Sequence, residues 1–137
     1  SGMQTANRFS LNASLLLAAA GLFGFLAVAI GAIGAHALKA HLTPDAMALF
    51  RTGWEYHMVH ALALGLIGAL SLNDPNSRSF RFAGGFWILG ILLFSGSLYA
   101  VSLGAPKILV HVTPLGGFSL MGGWIALSVG GLALRKH

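Results

Sequence analysis

Three side chains in one apolar stretch are of the types that do chemistry. Glu55, His57 and His60 lie within two helical turns of one another. Because residues three apart share a helix face, His57 and His60 point the same way, about a turn deeper than Glu55. A carboxyl and two imidazoles inside a membrane suit proton exchange or metal coordination. This segment is therefore the first candidate for a functional centre.

Glu55 has two interpretations. It is the single acid inside an apolar run of membrane-spanning length, where an unpaired charge costs at least ~2.5 kcal/mol. Arg51 stands four residues earlier and can form a candidate ion pair with Glu55 near the membrane surface. If Glu55 instead faces other helices, burial favours its protonated form and makes it a proton-exchanging group. The sequence leaves both open.

Hydroxyl groups on a later apolar stretch could meet this segment. Serine and tyrosine side chains commonly hold membrane helices together through hydrogen bonds. We therefore predict an intramembrane polar cluster, of which a water-lined pocket is the more specific form. The predicted members of this cluster are Glu55, His57, His60, Ser95, Ser97 and Tyr99, and Ser102 lies near them.

Catalytic and metal chemistry have little support. The chain has no cysteine, which excludes thiolate catalysis and cysteine-type zinc sites. His36, His57 and His60 are weak metal candidates, with His41 and His111 near the same end of the bundle, but each imidazole can equally bond a neighbouring carbonyl or hydroxyl. No nucleophile motif and no phosphate-binding loop occurs. We predict no catalytic residue, no metal and no cofactor.

The elements that position these residues are membrane helices. Of the 137 residues, 56% are hydrophobic and 8% charged, against roughly 25% charged in a soluble domain. A bilayer core of ~30 Å needs about 20 apolar residues per helix. Four such runs predict a single-domain, all-α integral membrane four-helix bundle, with spans at about 11–37, 53–72, 82–104 and 114–134. Ser1 and Gly2 read as the remnant of an expression tag.

Charge distribution predicts the orientation. Four spans put both termini and the middle loop on one side, and basic residues concentrate on the cytoplasmic side of short loops. We therefore predict that both termini are cytoplasmic. The termini and middle loop carry five basic residues, Arg8, Arg78, Arg81, Arg135 and Lys136, against three on the other side, Lys39, Arg51 and Lys107.

The chain resembles itself at an offset of 70 residues. Thr43-Pro44 then matches Thr113-Pro114, and Trp54 matches Trp124. Threonine as N-cap followed by proline is a helix-start signal, so helices are expected to begin near both prolines. The match predicts two tandem helical hairpins related by an axis along the membrane normal. The tryptophans are predicted interface anchors, namely Trp54, Trp87 and Trp124.

Four motifs in order resemble one known family. They are Gly31-Ala32-Ile33-Gly34-Ala35-His36-Ala37-Leu38, Phe50-Arg51-Thr52-Gly53-Trp54-Glu55-Tyr56-His57, Phe94-Ser95-Gly96-Ser97-Leu98-Tyr99 and Thr113-Pro114-Leu115-Gly116-Gly117. The chain is similar, from Leu11 onward, to the small YgdD-like inner-membrane family, a domain of unknown function related to transmembrane protein 256. The resemblance implies a four-span bacterial inner-membrane protein and brings no activity or catalytic residue with it.

Three functions follow as hypotheses. The first is a non-enzymatic membrane protein that packs with, or binds, lipids or a partner, since no catalytic signature is found. The second is a small-solute or proton-coupled transporter that uses Glu55, His57 and His60. The third is a metal- or haem-binding protein. Membrane lipids are the expected partners, a homo-oligomer is a further candidate, and the protein partner is unknown. The basic residues are scattered and form no tract that could follow a nucleic-acid backbone, so no nucleic-acid partner is expected.

Overall fold

Four long helices joined by short turns make up the structure. The computed structural model describes residues 12–136, and its helices run Ala13–Leu38, Pro44–Asn73, Arg78–Ser102 and Lys107–Ala133. Each is long and apolar enough to cross a membrane, and no strand occurs in the described residues, so the all-α four-helix prediction is confirmed. Three earlier predictions concern residues outside the described ones. They are the tag remnant at Ser1 and Gly2, the cytoplasmic position of Arg8, and the start of the first span at Leu11.

Side-chain caps explain where the helices start. Thr43 Oγ1 accepts a hydrogen bond from the Ala46 N–H at 3.2 Å, and Pro44 occupies the first turn. The second span therefore begins at Pro44, not at residue 53 as the apolar run predicts. The difference arises because hydropathy detects only the lipid-facing part of a helix whose first turns carry charge. Asn12 and Ser77 cap the first and third spans in the same way.

The third span is interrupted and then firmly terminated. Ile91–Ser95 forms a π-helical turn, a widening that often accompanies functional sites. At its end, Gly104 adopts a left-handed φ of 108°. The N–H of Ala105 bonds the Ala100 carbonyl, and the N–H of Gly104 bonds that of Val101. This Schellman arrangement satisfies carbonyls that the helix leaves open.

The spans pack as two hairpins placed side by side. The first span packs along the second, the third along the fourth, and the two hairpins meet where the second span contacts the third. The main buried apolar cluster fills the end near the Asn73–Ser77 turn, while most of the buried polar side chains lie towards the other end. That apolar core consists of Leu16, Ala63, Leu64, Ile67, Phe80, Ala83, Trp87, Ile91 and Leu120.

Each hairpin is closed by a tryptophan seated over a glycine. The Trp54 indole N–H donates to the Ala27 carbonyl at 2.7 Å, and a Cβ added at Gly31 would come within 2.7 Å of that nitrogen. In the other hairpin, Trp87 donates to the Leu120 carbonyl at 3.1 Å, and a Cβ added at Gly123 would overlap its ring. Small residues here admit an indole between helices, as glycine in membrane interfaces allows.

The predicted internal repeat is not confirmed, because its matched residues make different contacts. Thr43 caps its own helix, whereas the Thr113 hydroxyl bonds Ser97 at 2.6 Å and no side chain caps the fourth helix. Trp54 donates to a backbone carbonyl of the first span, whereas Trp124 donates to His60 of the second. The duplication stays a prediction about the sequence.

Candidate functional site

His57 joins three helices through both ring nitrogens. Its Nε2 lies 2.9 Å from the Phe23 carbonyl oxygen of the first span, and its Nδ1 lies 2.8 Å from the Tyr99 hydroxyl of the third. A carbonyl can only accept, so Nε2 carries the proton. In the neutral ring, Nδ1 then accepts from the Tyr99 O–H. Only 3% of the His57 surface is exposed, which makes it an internal cross-link.

His60 makes a second cross-link with the opposite tautomer. Its Nδ1 lies 2.7 Å from the Tyr56 carbonyl oxygen and must donate to it. Its Nε2 accepts the indole N–H of Trp124 at 3.0 Å. A doubly protonated His60 would set two donors against each other at Trp124. The bond connects the second span to the fourth, which the hairpin packing alone leaves apart.

Aromatic rings enclose His60. Tyr56 stacks on the imidazole with centroids 6.1 Å apart, and Trp87 and Trp124 meet it edge-on at 6.2 and 5.7 Å. The two indoles also contact each other at 4.7 Å. Such edge and offset geometries are the preferred ones for π systems. The three rings thus surround a histidine that exposes only 4% of its surface.

The serines that the sequence singled out donate to backbone carbonyls, and one of them also bonds a threonine hydroxyl. Ser95 Oγ donates to the Gly53 carbonyl at 2.6 Å, which ties the third span to the second. Ser97 Oγ donates to the Phe94 carbonyl, so in its 2.6 Å contact with Thr113 it must accept. Ser102 donates to the Tyr99 carbonyl at 2.8 Å. Three spans are thereby connected by hydroxyl groups.

We call His57, His60, Ser95, Ser97, Tyr99, Thr113 and Trp124 the polar layer. Across the residues that the structure describes, no buried side-chain nitrogen or oxygen lacks a hydrogen-bond partner. Each buried polar atom of the layer therefore already has a partner within the protein. Satisfied networks of this kind rigidify a bundle and specify one packing arrangement.

Glu55 lies outside the polar layer, contrary to the prediction that placed it with the histidines. Its side chain is exposed, while His57 and His60 are buried. Residues two apart on a helix point to different sides, so Glu55 and His57 cannot share a face. Arg51 is exposed as well, and no salt bridge between Arg51 and Glu55 is found among the described residues. Both side chains border a groove between the first and second spans.

The weak metal candidates do not come together. His36, His41 and His111 are exposed near the helix ends. Within residues 12–136, no three histidine, cysteine or acidic side chains are grouped closely enough to hold an ion. A metal at His57 or His60 would have to replace existing hydrogen bonds, since all four ring nitrogens are in use.

The tryptophans predicted as interface anchors all donate their indole N–H groups within the protein. Trp87 is completely buried and donates to Leu120. Trp124 exposes 41% of its surface, but its N–H points inward to His60. Trp54 is half-buried and donates to Ala27. Each indole has a protein acceptor, so its polar end needs no headgroup.

Comparison with known proteins agrees with the motifs. The family described as Protein of unknown function (DUF423) matches residues 30–117. A UPF0382 membrane protein of Haemophilus influenzae is 41% identical over 109 residues, covering 80% of this chain and 86% of the relative. The UPF0382 inner membrane protein YgdD of Escherichia coli (strain K12) is 38% identical over 127 residues, covering 92% and 95%. The chain belongs to this family.

Membership confirms the resemblance read from the motifs. A further member, the UPF0382 membrane protein YwdK of Bacillus subtilis (strain 168), is 40% identical over 104 residues, covering 76% of this chain and 85% of the relative. No solved structure matches the chain. The family is one of membrane proteins of unknown function, which agrees with four apolar helices long enough to span a bilayer.

The sequence indicated which side chains could donate hydrogen bonds, but not which groups accept them. Nothing in the sequence indicates that Trp124 reaches His60, because the two are 64 residues apart and on helices that scarcely touch. The buried position of Trp87 had one available signal. Gly123 lies on the neighbouring span, and a glycine in a membrane helix can mark the seat of a large ring.

Proposed function

We propose that this chain is a non-enzymatic inner-membrane protein that acts through its outer surface, by binding lipids or a membrane partner. The observation that supports this most is the closed polar layer. Every buried polar side-chain atom in the described residues already has a partner within the protein. Catalysis and transport both need polar groups that a substrate or water can reach.

The transport alternative needs a chain of accessible titratable groups across the bundle. His57 and His60 are the buried titratable groups nearest its middle, and protein partners occupy both nitrogens of each. Glu55, the remaining candidate, lies on the surface rather than between the helices. A proton relay through this layer would therefore have to break the bonds that join the spans.

The outer surface of the first span has the character that surface binding requires. In the most apolar stretch of this span, only 11% of the residues are buried by the rest of the chain. Leu22, Phe25 and Val28 each expose more than half of their surface. Lipid tails, a partner helix or a second copy of the chain would cover this face.

A flux measurement tests this proposal against transport. Purified protein in vesicles with a trapped pH-sensitive dye should admit protons at the rate of protein-free vesicles. Glu55→Gln and His57→Leu should leave that rate unchanged. Faster proton entry that either substitution abolishes would overturn the proposal and support a proton-coupled carrier.

We also propose that both termini are cytoplasmic, from the excess of basic residues on that side. The chain has no cysteine, so single cysteines can be introduced without background. Ala40 and Asn76 are exposed, uncharged positions in the first and second turns. In intact spheroplasts, an impermeant thiol reagent should label Ala40→Cys and spare Asn76→Cys until the membrane is permeabilised. The reverse pattern would invert the topology.

A further inference from the structure

A groove opens between the first and second spans at the end near Lys39–Thr43. Its volume is about 430 Å³, within the range of small-molecule pockets. The floor is formed where Gly31 and Gly34 admit the rings of Trp54 and Phe50. The walls are apolar and include Val28, Ala32, Ala35, Met47 and Met58. The shape and lining suit a hydrocarbon chain.

Two opposite charges stand on the rim of this groove. Arg51 and Glu55 are one turn apart on the second span, a spacing that puts their Cβ atoms about 6 Å from each other. Both are exposed, and no hydrogen bond or salt bridge of either side chain is found among the described residues. The Trp54 N–H beside them already donates a hydrogen bond to the Ala27 carbonyl. A cation and an anion are thus available together above an apolar slot.

Their depth places them among phospholipid headgroups. The second span ends at Asn73, where the polar turn begins. Glu55 lies about 27 Å from Asn73 and Arg51 about 33 Å, at 1.5 Å of rise per residue. A hydrocarbon core of ~30 Å therefore ends between these two residues if Asn73 marks its other edge. Side chains of a helix lean towards its N-terminus, which here is towards the membrane surface.

We propose that this groove binds one phospholipid with a zwitterionic headgroup that carries a primary ammonium, that is, a phosphatidylethanolamine. The Arg51 guanidinium donates to the phosphate, a pairing for which its planar fork is suited. The Glu55 carboxylate accepts from the ammonium, and an acyl chain occupies the apolar walls. This assignment rests on the proposed surface-binding function and names its ligand class.

Charge complementarity separates this lipid from the others. A phosphatidylglycerol offers a phosphate but no cation, and so leaves Glu55 beside a second negative charge. A phosphatidylcholine has a cation without N–H groups, and so cannot donate to the carboxylate. A second copy of the chain would have to cover both charges with apolar surface, which is costly without partners. The primary ammonium lipid satisfies both residues at once.

The opposite end of the molecule supplies a natural comparison. A second groove, of about 630 Å³, is lined by Arg78 and Arg81 with Phe82, Gly85, Phe86 and Leu89. It contains two basic residues and no acid. It therefore attracts phosphate without selecting a cationic headgroup, and Arg78→Gln is the matched control for Arg51→Gln.

Native mass spectrometry of the full-length protein tests the proposal. The probes are phosphatidylethanolamine, phosphatidylcholine and phosphatidylglycerol with identical acyl chains, titrated separately. The first phosphatidylethanolamine should bind about tenfold more tightly than either of the others, a difference of about 1.4 kcal/mol. Glu55→Gln should reduce its affinity to that of phosphatidylcholine and leave phosphatidylcholine unchanged. Arg51→Gln should weaken both, and Arg78→Gln should preserve the selectivity.

Filling the groove provides a variant that leaves the charges in place. Ala32 is exposed on the groove wall, so Ala32→Leu should remove the tight phosphatidylethanolamine while the melting temperature stays within a few degrees of wild type. Equal affinity for all three lipids, or selectivity unaffected by Glu55→Gln, would overturn the assignment. Either result leaves the proposed function intact, which fails instead if the vesicles conduct protons.

Discussion

Replacing Gly116 with alanine should destabilise the bundle severely, by about 3 kcal/mol or more, the upper end of the usual cost of overpacking. A Cβ at Gly116 would overlap backbone atoms of Leu93 and Phe94 in the third span. Backbone cannot rotate away as a side chain can, so the third and fourth spans would have to separate. Thermal unfolding in detergent, followed by circular dichroism, measures the loss.

The neighbouring residue is the control. A Cβ at Gly117 would meet only the Phe94 ring, at 3.8 Å, which is ordinary contact. Alanine is favoured over glycine in a helix by about 1 kcal/mol. Gly117→Ala should therefore be neutral or stabilising. Similar melting temperatures for the two variants would contradict the close approach of the third span to Gly116.

The architecture was predictable because the bilayer imposes it. Runs of about 20 apolar residues are recognisable in any sequence, and Thr-Pro marked the beginning of the second helix at Pro44. The residues at which the helices begin and end were less predictable, for one physical reason. Turns that carry Asp45 and Arg51 remain helical beyond the apolar run, since backbone hydrogen bonds do not depend on hydropathy.

The polar layer was predictable in part of its membership, since Thr113 and Trp124 were not expected in it, and its bonding was not predictable. Buried histidine, serine and tyrosine side chains need partners in a membrane, so His57, Ser95 and Tyr99 were expected to lie inside. Which atoms meet depends on helix rotation, which the sequence does not reveal. A small rotation decides whether Glu55 faces a helix or lipid, and the structure has it on the surface.

Contacts between distant helices were the least accessible. Trp124 reaches His60 because the second and fourth spans converge on Trp87, whose indole lies close to both. This convergence depends on Gly123, which makes room for the Trp87 ring. The sequence shows the glycine and the aromatic residues, but it does not show which ring packs against which glycine.

The polar layer also predicts the energetic role of His57. His57→Leu removes hydrogen bonds to the first and third spans together and leaves the half-buried Tyr99 hydroxyl without its acceptor. Interhelical hydrogen bonds in membranes contribute about 0.6 kcal/mol on average and up to about 1.7. Two such bonds and an unsatisfied hydroxyl predict a loss of about 2 kcal/mol in the free energy of unfolding.

A double-mutant cycle with Tyr99→Phe isolates the bond between the two side chains. Tyr99→Phe removes only the hydroxyl and should cost about 1 kcal/mol. Because the bond cannot be lost twice, the double variant should be more stable than the sum of the single losses implies, by about 0.6 to 1.7 kcal/mol. Tyr56→Phe is the control, since Tyr56 is the other tyrosine, is 45% exposed, and should change stability little. Additive losses would show that His57 and Tyr99 contribute to stability independently, and the proposed cross-link between the two hairpins would then be wrong.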